Sequence, residues 1–198
     1  MKLRKCISWL LIAIMLFSLT ACGATDQVNL EGEWKGTVDI SAHLAQVPGL
    51  QEPPKDITFD LIFVFGSDGT FEAIIDRYSV KVMVDKLLDL VAEAMADAAK
   101  ENGLSDRELR ELLETHVDMD AIVASVEKSL QNGFYVYRDG VIYLSAEDDL
   151  REDPQDNAQE QLVVSLTGDT LVVEQIVTVS YQHEQMLSGV LPLTFYKQ

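Results

Sequence analysis

The sequence predicts a mainly β domain: an eight-stranded antiparallel barrel with a three-helix segment inserted between strands three and four. Three observations predict it. Apolar residues recur with a period of two in eight segments. Tight-turn pairs join consecutive segments at Asp68-Gly69, Asp139-Gly140 and Gly168-Asp169. The period then switches to that of a helix across residues 79–132. Sequential hairpins with alternating faces suit an up-and-down barrel, because closure removes the unpaired strand edges.

The first strand alternates Trp34, Gly36, Val38 and Ile40 with Lys35, Thr37 and Asp39. Ala42 to Lys55, with Pro48, Pro53 and Pro54, reads as a loop. In the second strand Ile57, Phe59, Leu61, Phe63 and Phe65 share one face, and Phe71, Ala73 and Ile75 continue the pattern after Asp68-Gly69.

Val80, Val84, Leu87, Leu88, Val91, Met95 and Ala98 then fall on one helical face, with Asn102-Gly103 as the stop. Ser105 and Glu108 have the spacing of a capping box that opens a second helix. Asp118 caps a third, which carries Met119, Ile122, Val123, Val126 and Leu130 on one face and ends at Asn132-Gly133.

Strand signals resume at Phe134 to Tyr137 and return as Val141 to Leu144. The acidic stretch Glu147 to Gln161 reads as a loop. Leu162, Val164 and Leu166 pair across Gly168-Asp169 with Leu171 to Val179. A polar interval, Ser180 to Gly189, precedes the last strand at Leu191, Leu193 and Phe195.

The N-terminus has a different organisation. Lys2, Arg4 and Lys5 precede an apolar run from Cys6 to Phe17, and Leu19-Thr20-Ala21-Cys22 closes the segment. The run is too short for the ~20 residues of a spanning helix, and it has the zones of a signal peptide. Leu-Thr-Ala-Cys resembles the lipobox of bacterial lipoproteins. The resemblance implies cleavage after Ala21, a diacylglycerol on the Cys22 sulfur, and an acylated amino terminus. Residues 1–21 are then a lipoprotein signal peptide, 22–29 a lipidated tether and 30–198 the barrel domain. The expected location is the extracytoplasmic face of a bacterial cell membrane. Two or more acyl chains, at ~0.8 kcal/mol per buried CH2, anchor stably.

The chain of 198 residues carries 15 Lys+Arg against 33 Asp+Glu, a net charge of −18. Taking 21 residues from 198 leaves 177, and 12 basic against 33 acidic groups leaves −21. This balance excludes nucleic acid as a partner, since phosphate binding needs clustered Lys and Arg. It also excludes electrostatic attachment to anionic lipid. The two Cys residues, Cys6 and Cys22, fall in the leader and at the lipid position. The processed chain therefore has no disulfide, Cys nucleophile or thiolate metal site.

Leu30-Glu31-Gly32-Glu33-Trp34, Phe65 to Phe71, and Leu166 to Leu171 together resemble the lipocalin-like domains of many bacterial lipoproteins. Gly32-x-Trp34 matches the lipocalin first-strand signature, in which the Trp closes one barrel end. The resemblance implies that Lys197, the basic residue near the C-terminus, packs over Trp34 as a cation–π contact worth ~0.5–2 kcal/mol. It also implies a barrel that takes a small apolar ligand. The bulk of Phe59, Phe63, Phe65, Phe71 and Phe195 supports a second reading, in which side chains fill an eight-stranded barrel. The helices then either cover one barrel end or present a platform to an envelope protein.

The sequence offers little for catalysis, and the expectation is a non-enzymatic protein without cofactor or metal. His43, His116 and His183 have no partner at metal-ligand spacing. No Gly-x-Ser-x-Gly or Gly-rich phosphate loop occurs. The cluster from Glu147 to Asp156 has the oxygen ligands that calcium takes. It lacks the glycine and spacing of an EF-hand and reads as a solvated loop. Asp118-x-Asp120 is explained by helix capping.

Overall fold

The structure, a computed structural model, describes residues 29–44, 54–130, 132–150, 152–178 and 190–198. The chain divides into two units, Met1–Leu30 and Glu31–Gln198, and the barrel and its helices belong to the second. Cys22 and His183 lie outside the described residues, as do most of the predicted leader and tether.

Eight strands form a closed antiparallel barrel in sequential order: β1 (Gly32–Asp39), β2 (Thr58–Phe65), β3 (Thr70–Ile75), β4 (Asn132–Arg138), β5 (Val141–Ser145), β6 (Glu160–Thr167), β7 (Thr170–Thr178) and β8 (Leu193–Lys197). The alternation sets which face turns inward. Trp34 and Val38 of β1 are buried while Glu33, Thr37 and Asp39 are exposed, and β3 alternates strictly between exposed and buried. Closure runs through Trp34 opposite Lys197 and Gly36 opposite Phe195.

One strand departs from simple alternation. Val163 pairs with Gln175 but Val164 pairs with Val173, so Glu174 is an extra residue in β7. This bulge reverses the facing of the residues beyond it. Val177, inward by an uninterrupted period of two, is 43% exposed instead.

Among the described residues five helices accompany the barrel: α1 (Ser41–Leu44), α2 (Arg77–Glu101), α3 (Asp106–His116), α4 (Met119–Ser129) and α5 (Pro154–Asn157). Asp76 caps α2 by accepting the Ser79 N–H. Ser105 and Glu108 form a reciprocal capping box on α3, and Asp118 caps α4 by accepting from Ala121 N.

Three local readings of the sequence change. Asn132-Gly133 opens β4 rather than ending α4. The glycine is needed there because a Cβ would collide with the Ser145 carbonyl, and Asn132 Oδ1 accepts the Ala73 N–H at 3.1 Å. The segment from Ala42 begins inside α1 rather than in a loop, and Ser41 Oγ accepts the Ile57 N–H. The acidic stretch holds the single turn α5, with Asp153 as its cap and Pro154 at its start, and β6 begins already at Glu160.

The strand directions divide the connections between the two barrel ends. Three tight hairpins, at 65–70, 138–141 and 167–170, lie at one end, where the chain also enters β1 and leaves β8. At the other end β1, β3, β5 and β7 stop and β2, β4, β6 and β8 begin. The helices α2, α3 and α4 follow β3 and therefore emerge at this second end.

Candidate functional site

An up-and-down barrel can offer a site in its interior, at its long-connection end, or on its wall. Aromatic side chains pack on one another in the interior near the hairpin end. Phe63 stacks on Phe195 at 4.5 Å between centroids, Phe71 meets Phe63 at 5.4 Å and Phe65 at 5.3 Å, and Tyr135 meets Phe65 edge-on at 4.8 Å. Phe65 and Phe195 are fully buried. Burying each such ring is worth roughly 1.5–3 kcal/mol. Tyr135 keeps a polar outlet, its hydroxyl donating to Gly66 O at 3.2 Å. Burial pushes its pKa above the ordinary tyrosine value.

Gly32, Trp34 and Lys197 come together at this hairpin end. Trp34 is fully buried, and Lys197 Nζ stands 5.3 Å from the centre of its ring. The backbone holds the lysine there: Lys197 N donates to Asp169 O and Gln198 N donates to Glu33 O, both at 2.9 Å. Gly32 has φ +117°, and a Cβ would approach Lys197 Cε at 3.3 Å. The aliphatic lysine stem lies along Gly32, beside the β1–β8 pairing of Trp34 with Lys197.

The other end is covered by helices on its β2–β3 side. Ile57 and Ile75 from the barrel rim form one buried cluster with Val80, Met83, Val84 and Leu88 of α2 and Val123 of α4. Phe59 and Leu61, inward residues of β2, pack against the same cluster. Polar contacts fix the helices to one another. Arg77 of α2 donates two hydrogen bonds to Glu127 of α4, at 2.7 and 2.8 Å. Arg110 of α3 donates to Asp89 Oδ1 and to the Asp85 carbonyl of α2, and also to Glu114. Exposed ion pairs of this kind add little stability, so the apolar cluster carries most of the helix packing.

A shallow groove of about 460 Å³ lies on the outer wall at the β1–β8 seam, lined by Lys35, Gly36, Thr37, Pro192, Thr194, Tyr196 and Gln198. Lys35 is engaged beside it in an ion pair with Asp60 at 2.8 Å.

The remaining sequence candidates are scattered. His43 sits in α1, and His116 at the end of α3 has its Nδ1 2.8 Å from Leu112 O. In the acidic stretch Asp149 accepts from Ser145 Oγ, Asp153 caps α5 and Leu150 is buried. Among the described residues no group of three or more His, Cys, Asp or Glu is placed to hold a metal ion. The carboxylates whose pKa values shift, Asp39, Asp60 and Glu108, all shift downward, each chiefly through a side-chain hydrogen bond. Such groups are stabilised as anions, the opposite of a poised general acid. Among the described residues no helix is long and apolar enough to cross a membrane.

Sequence reasoning missed the exposed apolar face on the outer half of α2. Val91 and Met95, assigned to its buried stripe, are 41% and 45% exposed. Periodicity gives the face of a helix but not how far its partner extends beneath it.

No protein-family model, curated protein or solved structure matches the chain.

Proposed function

We propose that this chain is a lipid-anchored, extracytoplasmic bacterial lipoprotein whose lipocalin-like barrel is a filled, non-catalytic scaffold that presents its helices to an envelope partner. The observation that carries the scaffold reading is the aromatic packing. Phe63, Phe65, Phe71 and Phe195 occupy the space where a ligand-binding barrel would keep a cavity. The helices pack onto Phe59 and Leu61 from the other end.

The anchor rests on the basic zone, apolar run and Leu19-Thr20-Ala21-Cys22 box. The tether from Gly23 to Asn29 spans at most ~25 Å, so the domain stays close to the membrane under this reading. The net negative charge keeps the domain from lying on anionic lipid, so attraction to the membrane comes from the acyl chains alone.

Substituting Cys22→Ala tests the anchor. The variant should move from the membrane fraction to the soluble extracytoplasmic fraction, and its retention on the membrane would refute lipidation at Cys22.

A further inference from the structure

We infer that the groove at the β1–β8 seam is a binding site for a short neutral saccharide. It lies on the outer wall, so the inference goes beyond the scaffold reading and does not depend on how the barrel interior is filled. The groove exists because the seam opens. The β1–β8 ladder stops at Gly36 opposite Phe195, although β1 runs on to Asp39 and β8 begins at Leu193. Thr37 and Thr194 would form the next pair, and both line the groove instead. Asp60, on the far side of β1, draws that wall back. Its carboxylate accepts from the Thr37 hydroxyl at 2.9 Å and pairs with Lys35 Nζ at 2.8 Å, so both polar heads lean toward β2 and away from β8.

The lining selects the ligand. Tyr196, opposite Lys35 across the seam, is 57% exposed, and its hydroxyl makes no hydrogen bond among the described residues. Groups that both donate and accept stand around this ring: the hydroxyls of Thr37 and Thr194, and the Gln198 amide. A hydrogen bond from Gln198 Nε2 to the Tyr196 carbonyl, at 3.0 Å, holds that amide in place. The Lys35 stem and the Pro192 ring add apolar surface. A pyranose is divided in the same way, with C–H groups on its ring faces and hydroxyls around its edge. Its C–H face fits the Tyr196 ring, and its hydroxyls fit the threonines and the amide.

Charge and backbone pairing weigh against other occupants. Lys35 is the one charged side chain among the described residues of the lining, and Asp60 offsets it. The groove therefore offers no net charge to an anion or a cation, and the chain's overall −18 disfavours an anionic ligand further. A purely apolar ligand would cover the hydroxyls and the amide without replacing their hydrogen bonds to water. An added peptide strand needs a row of open backbone groups. Here β1 is paired to β2 along its whole length and to β8 over Trp34–Gly36, and β8 is paired to β7. The volume of about 460 Å³ falls within the roughly 300–1,000 Å³ of small-molecule sites. A shallow groove covers one face of its ligand, so binding is weak and the sugar leaves during purification.

The test is saturation-transfer NMR on the full chain in a polyoxyethylene detergent, which carries no sugar headgroup. Cellobiose and N,N′-diacetylchitobiose are the probes, glucuronic acid is the anionic control, and protein-free micelles supply the blank. Irradiating the protein should carry saturation to the ring protons of at least one neutral disaccharide and not to glucuronic acid. Tyr196→Ala should weaken that binding about tenfold. Thr194→Val keeps the shape of the wall, removes a hydroxyl and should weaken binding by a smaller factor. It leaves the Tyr196 ring in place, so it decides the question if the alanine variant fails to fold. Tyr78→Ala, at an exposed position on α2, should bind as the parent does. No transfer to either disaccharide, a preference for glucuronic acid, or binding unchanged in Tyr196→Ala and Thr194→Val would overturn the inference. None of these readouts depends on lipidation or on the barrel interior, so the scaffold reading fails by other measurements.

Discussion

Phe195 of β8 stacks on Phe63 of β2 at 4.5 Å, with planes 19° apart, across the intervening strand β1. The contact requires Gly36. That position faces inward between Trp34 and Val38, and a Cβ there would stand 2.7 Å from Phe195 Cδ1 and 2.7 Å from the Thr194 carbonyl oxygen. The missing side chain of one strand makes room for the ring of its neighbour, so aromatics from strands two apart meet in the interior.

Gly36→Ala is expected to destabilise the fold by about 1–3 kcal/mol, because the backbone at Thr194 must move as well as the ring. Urea unfolding should show a lower midpoint with an unchanged slope. An unchanged midpoint would mean that the Phe195 ring is not seated over Gly36.

Phe195→Ala should cost about 3–5 kcal/mol and leave an apolar cavity among Phe63, Trp34 and Leu171. Benzene should then raise the unfolding midpoint of the variant and leave the parent chain unaffected. Phe195→Leu, with a smaller loss, provides the same comparison if the alanine variant is too unstable. Stabilisation of the parent chain by benzene would reveal interior space that the aromatic packing denies.

Asp60 gives the pH dependence a defined sign. The Lys35 hydrogen bond holds its carboxyl below the usual carboxylate range, partial burial opposes this, and the Thr37 hydroxyl adds to the lowering at 2.9 Å. A carboxylate with a depressed folded pKa stabilises the fold fully above its unfolded value of about 3.9, and the contribution is lost as pH falls through the folded value. The stability of Lys35→Met should therefore differ from that of the parent by a constant amount above about pH 5 and converge with it in acid. Thermal unfolding across that range measures it; curves that stay parallel into acid would contradict the assignment.

Much of this architecture was legible because short-range chemistry carries it. Asp68-Gly69, Asp139-Gly140 and Gly168-Asp169 are turns in the sequence and in the barrel. Ser105 with Glu108 is a capping box in both. Each signal depends on residues a few positions apart. The features that needed the structure depend on contacts distant in sequence. Asn132-Gly133 has the composition of a helix stop, but Gly133 is selected by the approach of Ser145 across the β4–β5 pair. The Glu174 bulge has no local mark, because the count of two residues against one arises only when β6 lies beside β7. Val91 and Met95 match the buried stripe perfectly in period, and only the extent of the barrel beneath α2 decides that they remain open. The aromatic residues of the interior were legible as inward-facing, whereas the stacking of Phe63 on Phe195 follows from the closure of β8 onto β1.

The most direct test of the central claim is the intact mass of the chain released from membranes into mild non-ionic detergent and transferred to native mass spectrometry. A lipid-anchored protein with a filled barrel should give one species, the chain beginning at Cys22 plus its covalent lipid, with no further molecule bound. A stoichiometric apolar ligand carried with the protein would contradict the filled scaffold. An unmodified chain that retains residues 1–21 would contradict the anchor.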